Sequence, residues 1–539
     1  MGFLREVACD CSAITHNEDH KILGDYFYKA RFMDLLANST EFALTGQHAN
    51  THLPEIIGLA RGWEMTGNST LKQITQFFKR ILDDHYTYSI TGGSNEGEHW
   101  LYPDQLGTAV ATVPGHDSAG YHTEESCTQY NVLKIVKHMF TWSPSAALGD
   151  DYEHKINNGV IGIQHPGELG TMVYMTPLGN GVARPKANWG EGWGSANATF
   201  WCCYGTAVES FGKLGDSIYF HDDTAGSEQL WVVQYVSSVV RWRDAGVNVT
   251  QSVSFTYGAD AVSLTTKITV GALAGVDAPL AAASSTINLR IPTWASATST
   301  VELNGQPLVK AGTAKNGTFL RIKSTFKPGD VIIASFGMAA RFEKLNDNRT
   351  AYDNVGSLHV GPYALVALTD GDYALHADVN DIGSWLKLSP GCTAGKKTMQ
   401  FTATGTDGKT ITMLPLNRVV DQNYTAHLNI SSGATQCLCG TPDLCTDGGG
   451  IASGTTNLAW SSDTLVSTGD AVIGALIRSG NPMSVSSAMM KSGFVGKDTI
   501  TGVALSFNYT VGYASAKPGA SDGCVFPTAP CRHSVRQCL

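Results

Sequence analysis

Apolar residues recur at three- and four-residue spacing along roughly the first 165 residues of the chain. The segments LPEIIGLARGWEMTG and LKQITQFFKRILDDH show this spacing, as do CTQYNVLKIVKHMFTW and DDYEHKINNGVIGIQ. Such a period is typical of amphipathic helices with one buried face. The residues Asn68–Ser69–Thr70 stand directly before the second segment and supply a candidate N-cap for it. Long loops rich in Gly, Trp and Tyr separate the helices, and loops of this kind often carry functional sites.

The period changes after KLGDSIYF, where segments alternate between apolar and polar residues or are rich in β-branched residues. This pattern predicts strands, and Asn304–Gly305 is a hairpin-turn signal between two of them. The fold class we predict is a multidomain chain, α then β. A helical domain over 1–222 precedes a β-sandwich over 223–345 and a second β-sandwich module over 346–432. Residues 433–539 are predicted to form a β-rich, Cys-containing tail of unassigned fold.

Composition and charge exclude several classes of partner. The chain has 539 residues, a net charge of −10 and no basic run, which argues against nucleic acid and anionic membranes as partners. No apolar segment reaches the roughly 18 residues of a membrane span. The sequence does not indicate an oligomeric state.

The N-terminal residues do not resemble a signal peptide. Arg5, Glu6 and Asp10 interrupt any apolar stretch, and the chain begins inside a predicted helix. We therefore expect an N-terminally truncated chain. Nine Asn-x-Ser/Thr sequons and six cysteines in the tail indicate a secretory route, which predicts a secreted or lumenal glycoprotein in full-length form.

The stretch TEESCTQYN places Glu125 and Cys127 two residues apart, just before an amphipathic helix. In a regular helix the two side chains would diverge, whereas in an extended lead-in to the first turn they can point the same way. Read alone, Glu125 is a carboxylate favoured by the helix dipole and Cys127 a buried residue. Converging, they would form half of a zinc site.

Cys202 and Cys203 are adjacent within TFWCCYGTAVES. Read alone, such cysteines are inert core thiols or members of two separate disulfides. Together with Glu125 and Cys127 they supply one carboxylate and three thiols, which suit tetrahedral Zn²⁺. A thiol redox function is a weaker hypothesis, because no C-x-x-C motif accompanies the pair.

Further candidate residues lie in TGGSNEGEHW and GQHANTHLP. Glu96 and Glu98 are either solvated loop carboxylates or a proton donor beside an aromatic wall that includes Trp100. His48 and His52 lack the Glu of a H-E-x-x-H motif and are interpreted as one capping and one core histidine. Tyr174, in VYMTPL, is read on its own as a packed tyrosine.

Five segments taken together resemble glycoside hydrolase family 127, the β-L-arabinofuranosidases, and in particular a plant-like branch. They are SITGGSNEGEHW, ESCTQYNVLKI, INNGVIGIQ, MVYMTPLGNGV and FWCCYGTAVESFGKLGDSIYF. The resemblance runs in order from about residue 25 to 430. It implies an (α/α)₆ barrel followed by β-sandwich modules, and a zinc-thiolate glycosidase acting on arabinofuranose-containing glycans or glycoproteins.

The resemblance also implies roles for individual residues. The zinc ligands would be Glu125, Cys127, Cys202 and Cys203, and Cys202 would also be the nucleophile. Glu98 matches the acid/base glutamate, and His48 and Tyr174 match sugar-contacting positions. Because only about half of twelve barrel helices are predicted, the barrel is expected to be partial. An alternative hypothesis is a non-catalytic carbohydrate-binding or interaction protein with a structural zinc.

Overall fold

The fold is taken from a computed structural model that describes most of the chain before residue 432. The described residues are 3–110, 120–168, 170–186, 192–195, 198–222, 224, 228–258, 261–273, 284–371, 374–389, 391–393 and 396–431. The predicted tail over 433–539, with its six cysteines, lies outside the described residues.

Helices dominate the N-terminal region, as the apolar period predicts. They are α1 (Leu4–Thr15), α2 (Glu18–Asp25), α3 (Ala30–Ala37), α4 (Ala49–Thr66), α5 (Ser69–His85), α6 (Gly107–Val110), α7 (Ser126–Trp142), α8 (Ala146–Lys155), α9 (Cys202–Lys213) and, among the strands that follow, α10 (Ile382–Trp385). Helix α7 packs against α4, α8 and α9 and thus lies at the centre of the bundle. Asn68 caps α5 by accepting a hydrogen bond from the Thr70 amide, which confirms its predicted role.

The predicted helix over DDYEHKINNGVIGIQ is only partly correct. Helix α8 ends at Lys155, and a π-helical turn (Ile156–Val160) and a 3₁₀ turn (Ile161–Ile163) follow. The side-chain amide of Asn158 donates to the carbonyl of Pro362 at 2.8 Å and accepts from the amide of Ala364 at 2.8 Å. These bonds to a distant hairpin accompany the irregular turn, and a local apolar pattern cannot reveal them.

Within the described residues, twenty strands follow helix α9. The first ten are β1 (Tyr219–Asp222), β2 (Gln229–Val232), β3 (Ser238–Trp242), β4 (Val247–Tyr257), β5 (Val262–Ala272), β6 (Ser285–Ile291), β7 (Thr300–Leu303), β8 (Gln306–Val309), β9 (Thr318–Ser324) and β10 (Val331–Gly337). The others are β11 (Ala340–Lys344), β12 (Val355–Val360), β13 (Tyr363–Ala367), β14 (Ala374–His376), β15 (Leu386–Leu388), β16 (Gly391–Thr393), β17 (Lys396–Thr398), β18 (Phe401–Thr404), β19 (Thr410–Pro415) and β20 (Leu428–Ser431).

The strands form three main sheets. The first has the order β1-β2-β6-β9, and the second has the order β3-β4-β5-β10-β7-β8. The third has the order β14-β20-β12-β13-β19-β18-β15, with β11 also pairing with β12, and β16 and β17 form a separate ribbon. The β7–β8 hairpin turns at Asn304 and Gly305, whose φ angles of 51° and 75° are those that a type I′ turn requires.

The third sheet packs against the helical region. Tyr88, Leu101 and Val182 share an apolar core with Val355 and Val366 of this sheet. Three histidines lie on α8, on β12 and directly before β20: His154, which is partly buried, and His359 and His427, which are fully buried. Burial lowers the pKa of all three, to about 3 for His154 and about 4 for His427, so they are neutral in the folded protein.

A buried ion-pair cluster joins helix α8 to the first sheet. The fully buried Arg290 guanidinium pairs with Asp150 and, at 2.8 Å, with Glu153. The Trp294 indole donates to Glu153 at 2.7 Å, and Arg290 Nε donates to the carbonyl of Val233 at 2.6 Å. The helical and β regions are therefore connected by charge-assisted bonds as well as by apolar packing.

Candidate active site

The lead-in to helix α7 presents Glu125 and Cys127 on the same side. Glu125 is the N-cap residue with extended φ and ψ of −62° and 128°, and its carboxylate does not cap the helix. Instead, Glu125 Oε1 accepts from Cys203 Sγ at 2.9 Å. Both Glu125 and Cys127 are buried. The extended backbone at Glu125 therefore allows the side chains of Glu125 and Cys127, two residues apart, to converge.

Helix α9 begins at the vicinal cysteines and brings them to the same point. Cys203 is buried, and its Sγ lies 3.0 Å from Cys127 Sγ. Cys202 is exposed, and its Sγ lies 3.8 Å from Cys203 Sγ. All three are free thiols. One ligand atom from each of Glu125, Cys127, Cys202 and Cys203 lies within 4.8 Å of the others. Among the described residues, this is the one cluster of His, Cys, Asp and Glu that could hold a metal ion.

The donor atoms and their burial fit a metal ion. Glu125 Oε2 is buried and has no hydrogen-bond partner among the described residues. Burial raises the pKa of Glu125 to about 7 and also raises the pKa of Cys203. Hydrogen bonds from Cys127 and Cys203 lower the pKa of Cys202. A cation at this point would stabilise the buried anions, and one carboxylate with three sulfurs is a donor set that zinc accepts.

Glu98 is presented at the tip of a two-residue hairpin. Glu96 and His99 exchange backbone hydrogen bonds of 2.9 and 3.0 Å, and Gly97 and Glu98 between them have φ of 51° and 70°. A non-glycine residue in this left-handed region is uncommon and persists where its surroundings fix it. Of the two loop carboxylates in the sequence, the structure brings Glu98 to the cysteine cluster.

Tyr174 connects Glu98 to the cysteines. Its hydroxyl donates to Glu98 Oε1 and lies 3.5 Å from Cys202 Sγ. The side chain is 6% exposed and packs among Met172, Cys127 and Tyr204. A single hydroxyl group thus contacts both groups that the sequence analysis assigned to the reaction.

His48 contacts the other oxygen of Glu98. His48 is the N-cap of α4, where its Nδ1 accepts from the Thr51 amide at 3.3 Å, so Nε2 carries the proton. Nε2 lies 3.4 Å from Glu98 Oε2. The hydrogen bond to Glu98 raises the pKa of His48. Burial by itself would raise the pKa of Glu98, but the hydrogen bonds from His48 and Tyr174 lower it. His48 is therefore both the predicted capping residue and a neighbour of the candidate acid/base.

Trp100 has a different role from the predicted one. It is fully buried, its indole donates to Ser94 Oγ at 2.9 Å, and its ring packs edge-on against Phe78. A ring without exposed surface cannot stack on a sugar, so Trp100 anchors the hairpin that carries Glu98. Trp201 is the aromatic residue with exposed surface here, 40% exposed with its ring 6.3 Å from that of Tyr174. Its place directly before Cys202, in a segment rich in aromatic residues, is the sequence signal for an aromatic surface here.

Comparison with known proteins identifies the family. Residues 2–216 match the GH127 catalytic domain of β-L-arabinofuranosidases, and residues 229–338 match the GH127 middle domain. The chain belongs to glycoside hydrolase family 127. Members of this GH127 family are glycosidases, which implies a carbohydrate substrate. A search of the curated proteins finds no match to this GH127 chain.

Solved structures share the fold of this GH127 chain. A structure described as a glycoside hydrolase aligns over 79% of the chain and 74% of its own length, at TM-score 0.59 and 16% identity. A GH127 β-L-arabinofuranosidase from Geobacillus stearothermophilus T6 aligns over 79% and 72%, at TM-score 0.57 and 18% identity. A GH127 β-arabinofuranosidase aligns over 79% and 68%, at TM-score 0.58 and 17% identity. The likeness extends over the helical region and the sheets that follow it. None of the helices within the described ranges has the length and apolarity of a membrane span.

Proposed function

We propose that this chain is a retaining β-L-arabinofuranosidase with Cys202 as nucleophile and Glu98 as acid/base. The observation that carries the proposal is the Tyr174 hydroxyl, which contacts both Glu98 and Cys202 beside the cluster of four potential metal ligands. A retaining glycosidase needs a nucleophile and an acid/base on either side of one glycosidic bond. The family supports a glycoside as substrate, and the names of the structural neighbours support arabinofuranose as the sugar.

Glu125, Cys127, Cys202 and Cys203 would hold a zinc ion. When bound, zinc keeps a coordinating thiol deprotonated. Of the three thiols, Cys202 is the exposed one and is within reach of a sugar, whereas Cys127 and Cys203 are buried. We therefore assign attack to Cys202 and a purely ligating role to the other two.

The reaction we propose has two steps in which bonds and protons balance. Cys202 Sγ forms a bond to the anomeric carbon while the bond from that carbon to the leaving oxygen breaks and the leaving oxygen gains a proton from Glu98. Water then attacks the anomeric carbon, Glu98 takes a proton from it, and the Cys202 thiolate is released. His48 and Tyr174 position Glu98 and are also placed to contact the sugar.

Glu98 must carry a proton when the first step begins. The hydrogen bonds from His48 and Tyr174 lower the pKa of Glu98, so its protonated form becomes scarcer as pH rises. His48 Nδ1 accepts from the Thr51 amide, and Nε2 donates towards Glu98 at 3.4 Å. Because loss of the Nε2 proton would leave an imidazolate, His48 positions Glu98 and does not supply its proton.

Substitution of the nucleophile tests the proposal. We expect Cys202→Ser to abolish hydrolysis of a chromogenic β-L-arabinofuranoside while the protein keeps its fold, because Cys202 is exposed. Cys11→Ser, which changes a free thiol on helix α1, is the matched control and should keep full activity. Near-normal turnover by Cys202→Ser would refute the nucleophile assignment. A zinc-loaded wild type that hydrolyses no pentoside would favour a carbohydrate-binding protein with a structural metal.

Three broader inferences accompany this proposal. The helices α1 to α9 are interpreted as part of an (α/α)₆ barrel, and the sequence segments as resembling the plant-like branch of the family. The nine sequons and six tail cysteines support secretion and glycosylation of the full-length protein. Mass spectrometry of the protein from its natural source would test the last of these.

A further inference from the structure

We propose that Asn95 is a positioning residue that fixes the acid/base hairpin and the ligand segment of helix α7 relative to each other. The inference rests on the proposed function for its effect on catalysis, but its effect on metal affinity does not depend on any particular substrate. Asn95 is fully buried and lies one residue before the Glu96–His99 hairpin.

The side-chain oxygen of Asn95 holds the beginning of helix α7. Oδ1 accepts from the backbone amide of Glu125 at 3.1 Å and from Thr128 Oγ1 at 3.1 Å, the single proton of this hydroxyl being shared with the carbonyl of Glu125 at 2.7 Å. An N-cap side chain usually satisfies the free amides at the start of its own helix. The Glu125 carboxylate does not do so, because it bonds to Cys203. Asn95 thus supplies, from another segment, a hydrogen-bond acceptor at the start of this helix and leaves the Glu125 carboxylate available for a metal.

The backbone around Asn95 joins the same two segments. The Glu124 amide donates to the carbonyl of Asn95 at 2.8 Å, and the Gly97 amide donates to the carbonyl of His122 at 2.8 Å. Residues 95–97 and 122–125 therefore run side by side, with Glu98 at one end and Glu125 at the other. A change in the Asn95 side chain would alter the position of Glu125 without removing any of the four ligands.

The amide nitrogen of Asn95 supports this assignment. Nδ2 is buried and has no hydrogen-bond partner among the described residues. A buried donor without a partner is unfavourable, and its presence indicates that the side chain is oriented by what Oδ1 accepts. The two bonds to Oδ1 therefore account for an Asn at this position.

Metal affinity of Asn95→Ala tests the inference directly. Zn²⁺ competition with a colorimetric chelator should show affinity reduced about 10- to 100-fold, the usual effect of losing a residue that orients a metal ligand. The absorption spectrum of the Co²⁺-substituted protein should change, because Glu125 would coordinate differently. kcat should fall while KM changes little. The control is Asn131→Ala. Asn131 is a buried residue of helix α7, and its side-chain amide donates to Asn50 at 2.7 Å. This variant should leave the Co²⁺ spectrum unchanged.

Two outcomes would overturn the inference. One is wild-type zinc affinity, Co²⁺ spectrum and kcat in a folded Asn95→Ala protein. If Asn95→Ala does not fold, Thr128→Val decides, because it removes one of the two donors to Oδ1 in a nearly isosteric way; wild-type values for that variant would then contradict the inference. A wild type without glycosidase activity, combined with weakened metal binding in the variants, would refute the proposed function and leave the role of Asn95 intact.

Discussion

Removing the Tyr174 hydroxyl tests the link between the acid/base and the nucleophile. In Tyr174→Phe the ring still packs among its apolar neighbours, but Glu98 loses a donor and Cys202 loses a contact at 3.5 Å. A hydrogen bond to a charged group contributes about 1.5–3 kcal/mol. At about 1.4 kcal/mol for each tenfold change in rate, kcat/KM should fall roughly 10- to 150-fold.

Steady-state hydrolysis of a chromogenic β-L-arabinofuranoside measures this effect. Tyr204→Phe is the control, because Tyr204 packs against Tyr174 and its hydroxyl donates to the carbonyl of Gly192 at 3.3 Å rather than to Glu98. Its activity should stay close to that of the wild type. Equal activities of Tyr174→Phe and the wild type would show that the hydroxyl does not act on either reacting group.

Three further predictions concern the pH profile and the stability of the fold. His48→Ala should shift the alkaline limb of kcat/KM to higher pH, because Glu98 then loses a hydrogen bond that lowers its pKa; an unchanged limb in the measured profile would contradict this. Arg290→Met should lower the free energy of unfolding by about 3–5 kcal/mol in urea denaturation, because it removes the cation that pairs with the buried Glu153 and the partly buried Asp150 of α8, whereas the exposed Arg321→Met in the same sheet should have little effect. The melting temperature should fall as pH decreases from 6.5 towards 4, because His154, His359 and His427 bind protons in the unfolded chain but stay neutral in the folded one. A melting temperature that does not change over this range would refute this.

The sequence predicted the order of the elements because local patterns determine it. Helices α4, α5 and α7 and the β7–β8 hairpin follow directly from apolar spacing, an N-cap and an Asn-Gly turn. The interruption of α8 could not be predicted, because it coincides with bonds from Asn158 to a hairpin about 200 residues away. The β strands were predicted as two sandwich modules, but their arrangement in sheets depends on pairing between distant segments. In the described residues, the strands after 346 pair within one sheet that also includes β11, apart from the separate β16–β17 ribbon.

The candidate site was predicted with the same division between local and distant information. The vicinal cysteines and the Glu-x-Cys segment have distinctive compositions, and the structure brings their four ligand atoms together. Trp100 was misassigned because proximity in sequence to Glu98 does not reveal that its ring points into the core. The role of Asn95 depends on a hydrogen bond across 30 positions of sequence, which no local pattern indicates.

Trapping the covalent intermediate tests the central claim most directly. The zinc-loaded protein would be quenched during turnover of a slowly hydrolysed β-L-arabinofuranoside, and its peptides fragmented by mass spectrometry. We predict one pentosyl group on the sulfur of Cys202 and none on Cys203. A pentosyl group on a carboxylate, or turnover with inversion of the anomeric configuration, would contradict a thiolate nucleophile.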